Sequence, residues 1–202
     1  SIASIFFGIL STLFQKKIKR FLVYSSISHF GFIFLGLCCG SFDGVFSAFF
    51  YIIIYSFTMF IIFSILLTVR LKKMNQKLKY LSDFSSMFYL HSYVAFSFLI
   101  VLFSMSGIPP FAGFFSKFFI FFSTINNDLI LISFVAILLS GAGCFYYIRL
   151  IKIFFFDVQC LNSIFFILKK ENSLIISFFT IYLVFFLFSP NLSTILVYNF
   201  LF

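Results

Sequence analysis

Apolar residues occupy most of the chain in long runs, which are separated by short polar connections. An α-helix needs about 20 predominantly apolar residues to cross the hydrocarbon core of a bilayer, and several runs reach that length. The pattern predicts an all-α, polytopic membrane protein with about six transmembrane helices in one transmembrane domain over residues 1–202. The predicted spans cover residues 2–14, 21–39, 45–69, 92–123, 129–156 and 173–197.

The fourth predicted span is interrupted by Gly107, Pro109 and Pro110, and Gly113 follows closely. The two prolines lack a backbone N–H group, and a proline also moves the residue before it away from helical geometry. Non-helical backbone at membrane depth persists only where it is buried in protein or lines a water-filled cavity. The sequence therefore predicts a helix that is broken at Gly107–Gly113 beside an internal polar path.

Basic residues are concentrated in alternate connections. Charged residues make up 9% of the chain, the net charge is +9, and thirteen of the fourteen Lys and Arg residues lie in or flank the first, third and fifth connections. Because matrix or cytoplasmic loops carry an excess of Lys and Arg, we expect these connections on that side and both termini on the other. A topology signal of this kind argues against a nucleic-acid-binding surface. The thirteen residues are Lys16, Lys17, Lys19, Arg20, Arg70, Lys72, Lys73, Lys77, Lys79, Arg149, Lys152, Lys169 and Lys170.

The remaining basic residue, Lys117, lies inside the fourth span and is the only charged residue between Tyr93 and Ser123. A charge at the centre of a bilayer costs roughly 2.5–3.5 kcal/mol on insertion scales, so an ionisable residue there is a candidate for a functional site. Lysines in apolar interiors can exchange protons near neutral pH, which makes Lys117 the candidate catalytic residue for proton translocation. The alternative is that Lys117 lies near the helix end and extends its charged head to the membrane surface.

A polar cluster in the second span contains Ser25, Ser28 and His29. His29 is a candidate proton relay because imidazole gains and loses a proton near physiological pH, and the two serines are candidates for hydrating the path. Packing alone is the alternative, since serine hydroxyls in membrane helices can bond carbonyls of the preceding turn. Tyr146 and Tyr147 lie near a basic helix end and are predicted to anchor the fifth span at the membrane interface.

The chain carries few residues that suit independent chemistry. Its four cysteines form no CxxC pair and no Cys/His cluster, so we expect neither a metal site nor a disulfide framework. All five acidic residues lie in predicted connections, and the sequence contains no phosphate-binding loop or paired-carboxylate motif. We therefore expect no hydrolytic or redox chemistry, and no bound cofactor, in this chain alone.

Two segments match patterns of one known family. Residues 15–31, QKKIKRFLVYSSISHFG, are similar to a KR-xx-AYSSI-x-H-x-G segment, and residues 106–118, SGIPPFAGFFSKF, are similar to a G-[IL]-P-P-x-x-G-F-x-x-K segment. Both segments belong to the antiporter-like subunits of respiratory complex I, which this chain resembles. The resemblance is to the subunit 2 branch, because subunits 4 and 5 carry a histidine and a lysine where residues 47–51 read SAFFY, and subunit 4 carries a glutamate in the broken helix.

The resemblance implies a role in the proton-translocating membrane arm of NADH:ubiquinone oxidoreductase, in the mitochondrial inner membrane, with both termini toward the intermembrane space. It carries the family's broken-helix lysine over to Lys117. Typical members have many more helices, and this chain resembles only their C-terminal half. The family's other residues along the proton path, a glutamate and two lysines on earlier helices, have no counterpart here. The resemblance therefore implies one half of a split subunit, which a second chain completes.

The resemblance also implies the partners of the chain. These are other membrane-arm subunits of complex I, the second chain and membrane lipids, while FMN, the iron–sulfur clusters and ubiquinone are implied on other subunits. Two alternatives stay open. The chain could belong to a multi-subunit cation/proton antiporter, or it could be a structural spacer of the membrane arm that pumps no protons.

Overall fold

The computed structural model describes residues 1–71, 76–77, 79–85, 87–156, 164–166, 170–186 and 191–201. Most of these residues are helical, which confirms the predicted all-α class. A short 3-10 helix covers Leu81–Phe84. The α-helices are α1 (Ile2–Leu13), α2 (Ile18–Leu37), α3 (Phe42–Thr68), α4 (Met87–Leu90), α5 (Ser92–Ser106), α6 (Ala112–Asn126), α7 (Ile130–Phe155), α8 (Lys170–Phe185) and α9 (Asn191–Leu201).

Three of the described helices, α2, α3 and α7, are long and apolar enough to cross a membrane. Helix α1, helix α5 and residues 171–185 of α8 are shorter apolar helices. The predicted break is present, because the fourth predicted span consists of α5 and α6, which end and begin on either side of residues 107–111. The count of six membrane spans stays a prediction.

The described residues of the last predicted span, 173–197, lie in two helices. Helix α8 ends at Phe185, and α9 begins at Asn191. Residues 187–190 between them lie outside the described residues, so the bounds of this span stay a prediction.

A small antiparallel sheet joins two of the polar connections. Its strands are β1 (Val69–Leu71), β2 (Gln76–Lys77) and β3 (Ile164–Phe166), in the order β2-β1-β3. Leu71 of β1 lies opposite Gln76 on one side and Ile164 on the other. The sequence pattern does not predict this sheet, because strands of two or three residues are too short to show a periodicity.

The basic connections meet at one end of the helix bundle. The N–H of Ile18 donates to the carbonyl of Lys79 (3.1 Å), and the N–H of Leu81 donates to the carbonyl of Lys16 (2.9 Å). These bonds join the first and third connections, and the pairing of β1 with β3 joins the third and fifth. The three connections therefore share one end, as the charge pattern predicts, while the side of the membrane that they face stays a prediction.

Candidate proton-transfer site

The helix break begins with a left-handed glycine that ends α5. Gly107 has φ of 79°, a conformation that side chains with a Cβ rarely adopt. Its N–H donates to the carbonyl of Ser104 (3.1 Å), and the N–H of Ile108 donates to the carbonyl of Phe103 (3.3 Å), which together form a Schellman motif. This motif satisfies those two carbonyls and leaves the next two, of Met105 and Ser106, for other donors.

Lys117 supplies the donors for these two carbonyls. Its Nζ donates to the carbonyl of Ser106 at 2.8 Å and to that of Met105 at 3.3 Å. The last carbonyls of a helix carry partial negative charge, so they are a favourable partner for an ammonium group. The Lys117 side chain is only 7% exposed. Lys117 therefore lies in the interior of the helix bundle, as the functional hypothesis requires. Its side chain does not extend to the membrane surface, which was the alternative.

Close packing of α5 against α6 holds Lys117 at the break. The N–H of Gly113, at the start of α6, donates to the Oγ of Ser104 (3.2 Å). A Cβ at Gly113 would collide with the carbonyl of Ser104, so this approach requires a glycine. On the opposite side, the Sγ of Cys144 in α7 donates to the carbonyl of Ser106 (3.0 Å), which also bonds Lys117.

His29 lies at the centre of a buried cluster of tyrosines. The imidazole is 3% exposed; its Nδ1 is 2.7 Å from the hydroxyl of Tyr51 in α3, and its Nε2 is 2.8 Å from the hydroxyl of Tyr147 in α7. A neutral imidazole donates from one nitrogen and accepts at the other, and a hydroxyl can do either, so both tautomers fit these contacts. The arrangement places a group that can exchange protons between two hydroxyls that can also pass them on.

Tyr146 and Tyr147 are not interface anchors, so that prediction is wrong. They are 4% and 1% exposed, and their rings lie 4.3 Å apart, centroid to centroid, inside the bundle. The ring of Phe21 packs edge-on against both. The prediction relied on their closeness along the chain to Arg149, and closeness in sequence does not determine whether a side chain faces the lipid or the interior of the bundle.

Ser25 and Ser28 are buried, at 0% and 2% exposure, and both hydroxyls bond within α2. Ser25 donates to the carbonyl of Leu22 (2.9 Å), and Ser28 donates to the carbonyl of Ser25 (2.7 Å). These are the bonds to the preceding turn that the packing alternative predicts. A role of the two serines in hydrating a proton path stays a prediction.

A small cavity connects the histidine cluster to the helix break. It is lined by residues from four helices and has a volume of about 10 Å³, which suits on the order of one water molecule. Met105 is part of this lining, and its carbonyl also accepts a bond from Lys117. His29 therefore lines this cavity directly, and Lys117 is connected to it through the carbonyl of Met105. The lining residues are His29, Tyr51, Ile54, Tyr55, Thr58, Ser104, Met105, Gly113 and Ser116.

A larger cavity of about 330 Å³ lies on the other side of Lys117, between α6 and α7. Ser140 and Gly141 of α7 form part of its wall. A Cβ added at Gly141 would have nothing within 4 Å, so this part of α7 is open in the chain by itself. Pro109 and Pro110 at the break are also exposed.

The broken helix, the buried lysine and the helical fold together define the class of this protein as an antiporter-like membrane subunit. Residues 1–143 match the family described as NADH:quinone oxidoreductase/Mrp antiporter, TM. The match covers more than half of the chain, and the chain belongs to this family.

The chain is similar to curated proteins over most of its own length but only part of theirs. NADH-ubiquinone oxidoreductase chain 2 of Arabidopsis thaliana is 36% identical over 191 residues, which cover 95% of this chain and 38% of that protein. NADH-quinone oxidoreductase subunit N of Pelagibacter ubique is 38% identical over 159 residues, which cover 79% of this chain and 33% of that protein. The chain thus spans well under half of the length of these relatives.

Solved structures of membrane complexes contain the same fold. A chain of respiratory complex I from Thermus thermophilus superposes with a TM-score of 0.83 at 23% identity, covering 96% of this chain and 43% of that chain. A chain of the Mrp complex from Dietzia sp. superposes with a TM-score of 0.67 at 20% identity, covering 79% of this chain and 29% of that one. At these identities the likeness establishes the fold alone.

Proposed function

We propose that the chain is part of the proton-translocating membrane arm of an NADH:ubiquinone oxidoreductase in the mitochondrial inner membrane, and that Lys117 takes up and releases the translocated proton. The observation that carries this proposal is the bonding of the buried Lys117 ammonium group to the carbonyls that end α5. The relatives named as chain 2 and subunit N of this oxidoreductase support the complex to which the chain is assigned. The flavin, the iron–sulfur clusters and the quinone site belong to other subunits.

Lys117 is held differently in its two protonation states. The ammonium form donates up to three hydrogen bonds and is attracted to the negative end of α5, where two carbonyls receive it. Loss of the proton removes that charge–dipole attraction and leaves a neutral amine in a largely apolar site. A change of charge nearby shifts the balance between these states, which is how a distant redox reaction could drive proton release.

The cavity lined by Met105 and His29 connects the helix break to His29, the proposed proton relay. Carbonyl oxygens accept protons in hydrogen bonds but do not hand them on, so a water molecule in this cavity carries the proton between the break and the cluster. His29 then receives a proton at one ring nitrogen and releases one from the other. The hydroxyls of Tyr51 and Tyr147, at 2.7 and 2.8 Å, continue the path on both sides of the ring.

The open face of the chain is proposed to receive a second polypeptide that supplies the remaining helices of the subunit. Irregular backbone at membrane depth is buried in protein or lines a water-filled cavity, so a protein cover over the exposed residues Pro109 and Pro110 would keep them from lipid. Small residues such as Ser140 and Gly141 allow helices to approach closely in membranes. The cavity between them and Lys117 is where groups of that partner would meet the lysine.

A monovalent cation/proton antiporter subunit is the second candidate, because the family that matches includes Mrp antiporters. The two candidates differ in what drives proton movement. Proteoliposomes that contain the purified assembly but no electron donor are the test. Proton exchange that is stimulated by Na⁺ or K⁺ would favour the antiporter, and proton movement that requires NADH and quinone would favour the oxidoreductase.

Purification of the native assembly, followed by mass spectrometry of its polypeptides, tests the proposed complex and the proposed partner separately. Recovery of complex I subunits with a second chain that carries membrane lysines and a glutamate supports both. Recovery of complex I subunits with peptides that extend this chain itself overturns the split and leaves the complex assignment standing. Recovery of antiporter subunits without redox subunits overturns the assignment.

A further inference from the structure

A long apolar groove runs along the surface between α2 and α3, away from the lysine and its open face. It has a volume of about 560 Å³. Residues about one helical turn apart line it on each side, Val23, Ser26 and Phe30 on α2 and Met59 and Phe63 on α3. The surface of the groove is mostly apolar, so its occupant must also be mostly apolar.

The length of the groove matches one leaflet of a bilayer. Its lining extends along α2 from Ile18 to Phe30, which is about 18 Å at the rise of an α-helix. Half of a hydrocarbon core is about 15 Å thick. An extended acyl chain occupies one leaflet, so its length matches that of the groove. The geometry therefore favours a lipid chain.

The outer end of the groove is strongly basic. Lys19 lines it, and Lys17 and Arg20 lie close to Lys19 in the chain; all three are exposed. Asp83, an acidic residue at the same end, accepts hydrogen bonds from two backbone N–H groups. Basic residues at the membrane surface beside a helical groove suit an anionic lipid headgroup.

We propose that this groove binds an anionic phospholipid of the surrounding bilayer, with the headgroup phosphate at Lys19 and one acyl chain between α2 and α3. The lipid is a structural ligand of the membrane arm and does not take part in proton transfer itself. Its chain ends near Tyr55, at the inner end of the groove.

This site has a consequence for the histidine cluster. The Tyr55 ring lies 5.0 Å from the His29 ring, centroid to centroid, and is only partly buried by the chain itself. An acyl chain in the groove covers Tyr55 and closes this side of the cluster to water from the lipid surface. Loss of the lipid should therefore raise the passive leak of protons through the chain.

Electron cryomicroscopy of the wild-type complex in nanodiscs tests the occupant directly. Nanodiscs of phosphatidylcholine with one-tenth phosphatidylglycerol are compared with nanodiscs of phosphatidylcholine alone. Density for an acyl chain from Lys19 to Phe30, stronger in the presence of phosphatidylglycerol, is expected. A protein helix in the groove, an unfilled groove, or density that does not depend on phosphatidylglycerol would overturn the proposal.

Lipid mass spectrometry of purified variants tests the same site in solution. Lys19→Gln should lower the affinity for phosphatidylglycerol about fivefold, since one lysine near the surface is worth about 1 kcal/mol. Ser26→Phe should fill the groove and remove the bound lipid, because Ser26 lines its middle. The control is Lys152→Gln, an exposed lysine in the last turn of α7 outside the groove. Equal retention by all three variants contradicts the proposal, and the wild-type maps decide the question if a variant does not assemble.

Discussion

Replacing Gly107 with alanine should move Lys117 away from the helix break, whereas the same replacement at Gly40 should not. Both glycines have a positive φ, 79° at Gly107 and 64° at Gly40. An alanine at either position would therefore destabilise the fold by roughly 1–2 kcal/mol, because a left-handed conformation is unfavourable for a residue with a Cβ. The surroundings differ. A Cβ at Gly40 has nothing within 4 Å, while a Cβ at Gly107 lies 2.9 Å from the Cδ and 3.0 Å from the Nζ of Lys117.

The displacement follows from these distances. Carbon atoms make normal contact at about 3.5–4.0 Å, so the lysine chain must shift by roughly 0.5–1 Å. A shift of that size takes the 2.8 Å bond between Nζ and the Ser106 carbonyl beyond the usual hydrogen-bonding range. We therefore expect both variants to assemble less well than the wild type to a similar degree, and only Gly107→Ala to lose proton pumping severalfold.

The assay is the number of protons pumped per NADH oxidised by the complex in proteoliposomes, normalised to the amount of assembled complex on a native gel. Gly40→Ala is the matched control, because it introduces the same backbone strain without the contact. Equal pumping by the two variants, or an equal loss in both, would refute the argument that Gly107 is required to position Lys117.

Three further substitutions test separate contacts. Gly113→Ala should destabilise the assembled subunit by about 1–3 kcal/mol, because the added methyl group would overpack against the Ser104 carbonyl. The measurement is the midpoint temperature of thermal unfolding, which should fall; an unchanged midpoint would mean that α5 and α6 are not in close contact. Tyr147→Phe should leave a buried nitrogen of His29 without its hydrogen-bond partner, which should lower the stability of the folded subunit by about 1–3 kcal/mol. It should also slow pumping, and a variant that pumps at the wild-type rate would show that Tyr147 is not part of the relay. Asn127→Ala should lower the stability of the folded subunit by about 1 kcal/mol, because it removes the hydrogen bond from Asn127 to Ser41 that joins the fourth and second connections. Pumping should stay unchanged, and a loss of pumping would contradict the assignment of proton transfer to the interior.

The sequence was sufficient to predict the parts of this structure that depend on long or unusual patterns. Long apolar runs predicted the helices, and the distribution of basic residues predicted which connections lie together. Two prolines between two glycines predicted the position of the break, and the isolated charge of Lys117 predicted an interior lysine beside it. Each of these signals arises from residues that are close in the sequence, or from a charge whose burial is costly.

The contacts between distant helices could not be predicted in the same way. Tyr51 and Tyr147 lie in helices far apart in the chain, and their bonds to His29 depend on how α2, α3 and α7 pack. The bonding of Lys117 to the Met105 and Ser106 carbonyls depends on the chain turning back on itself at Gly107. The strands β1 to β3 are too short to show a pattern, and their pairing depends on tertiary contacts.

The most direct test of the central claim is the proton-to-NADH ratio of the complex that carries Lys117→Met. Methionine is unbranched and apolar, so it fills the space of the lysine chain without a proton-binding group. Lys152→Met, at an exposed lysine in the last turn of α7, is the control for loss of a positive charge. The account predicts normal assembly and a marked fall in protons pumped per NADH for Lys117→Met alone. A fully assembled Lys117→Met complex with the wild-type ratio would contradict it and would identify the chain as a structural spacer.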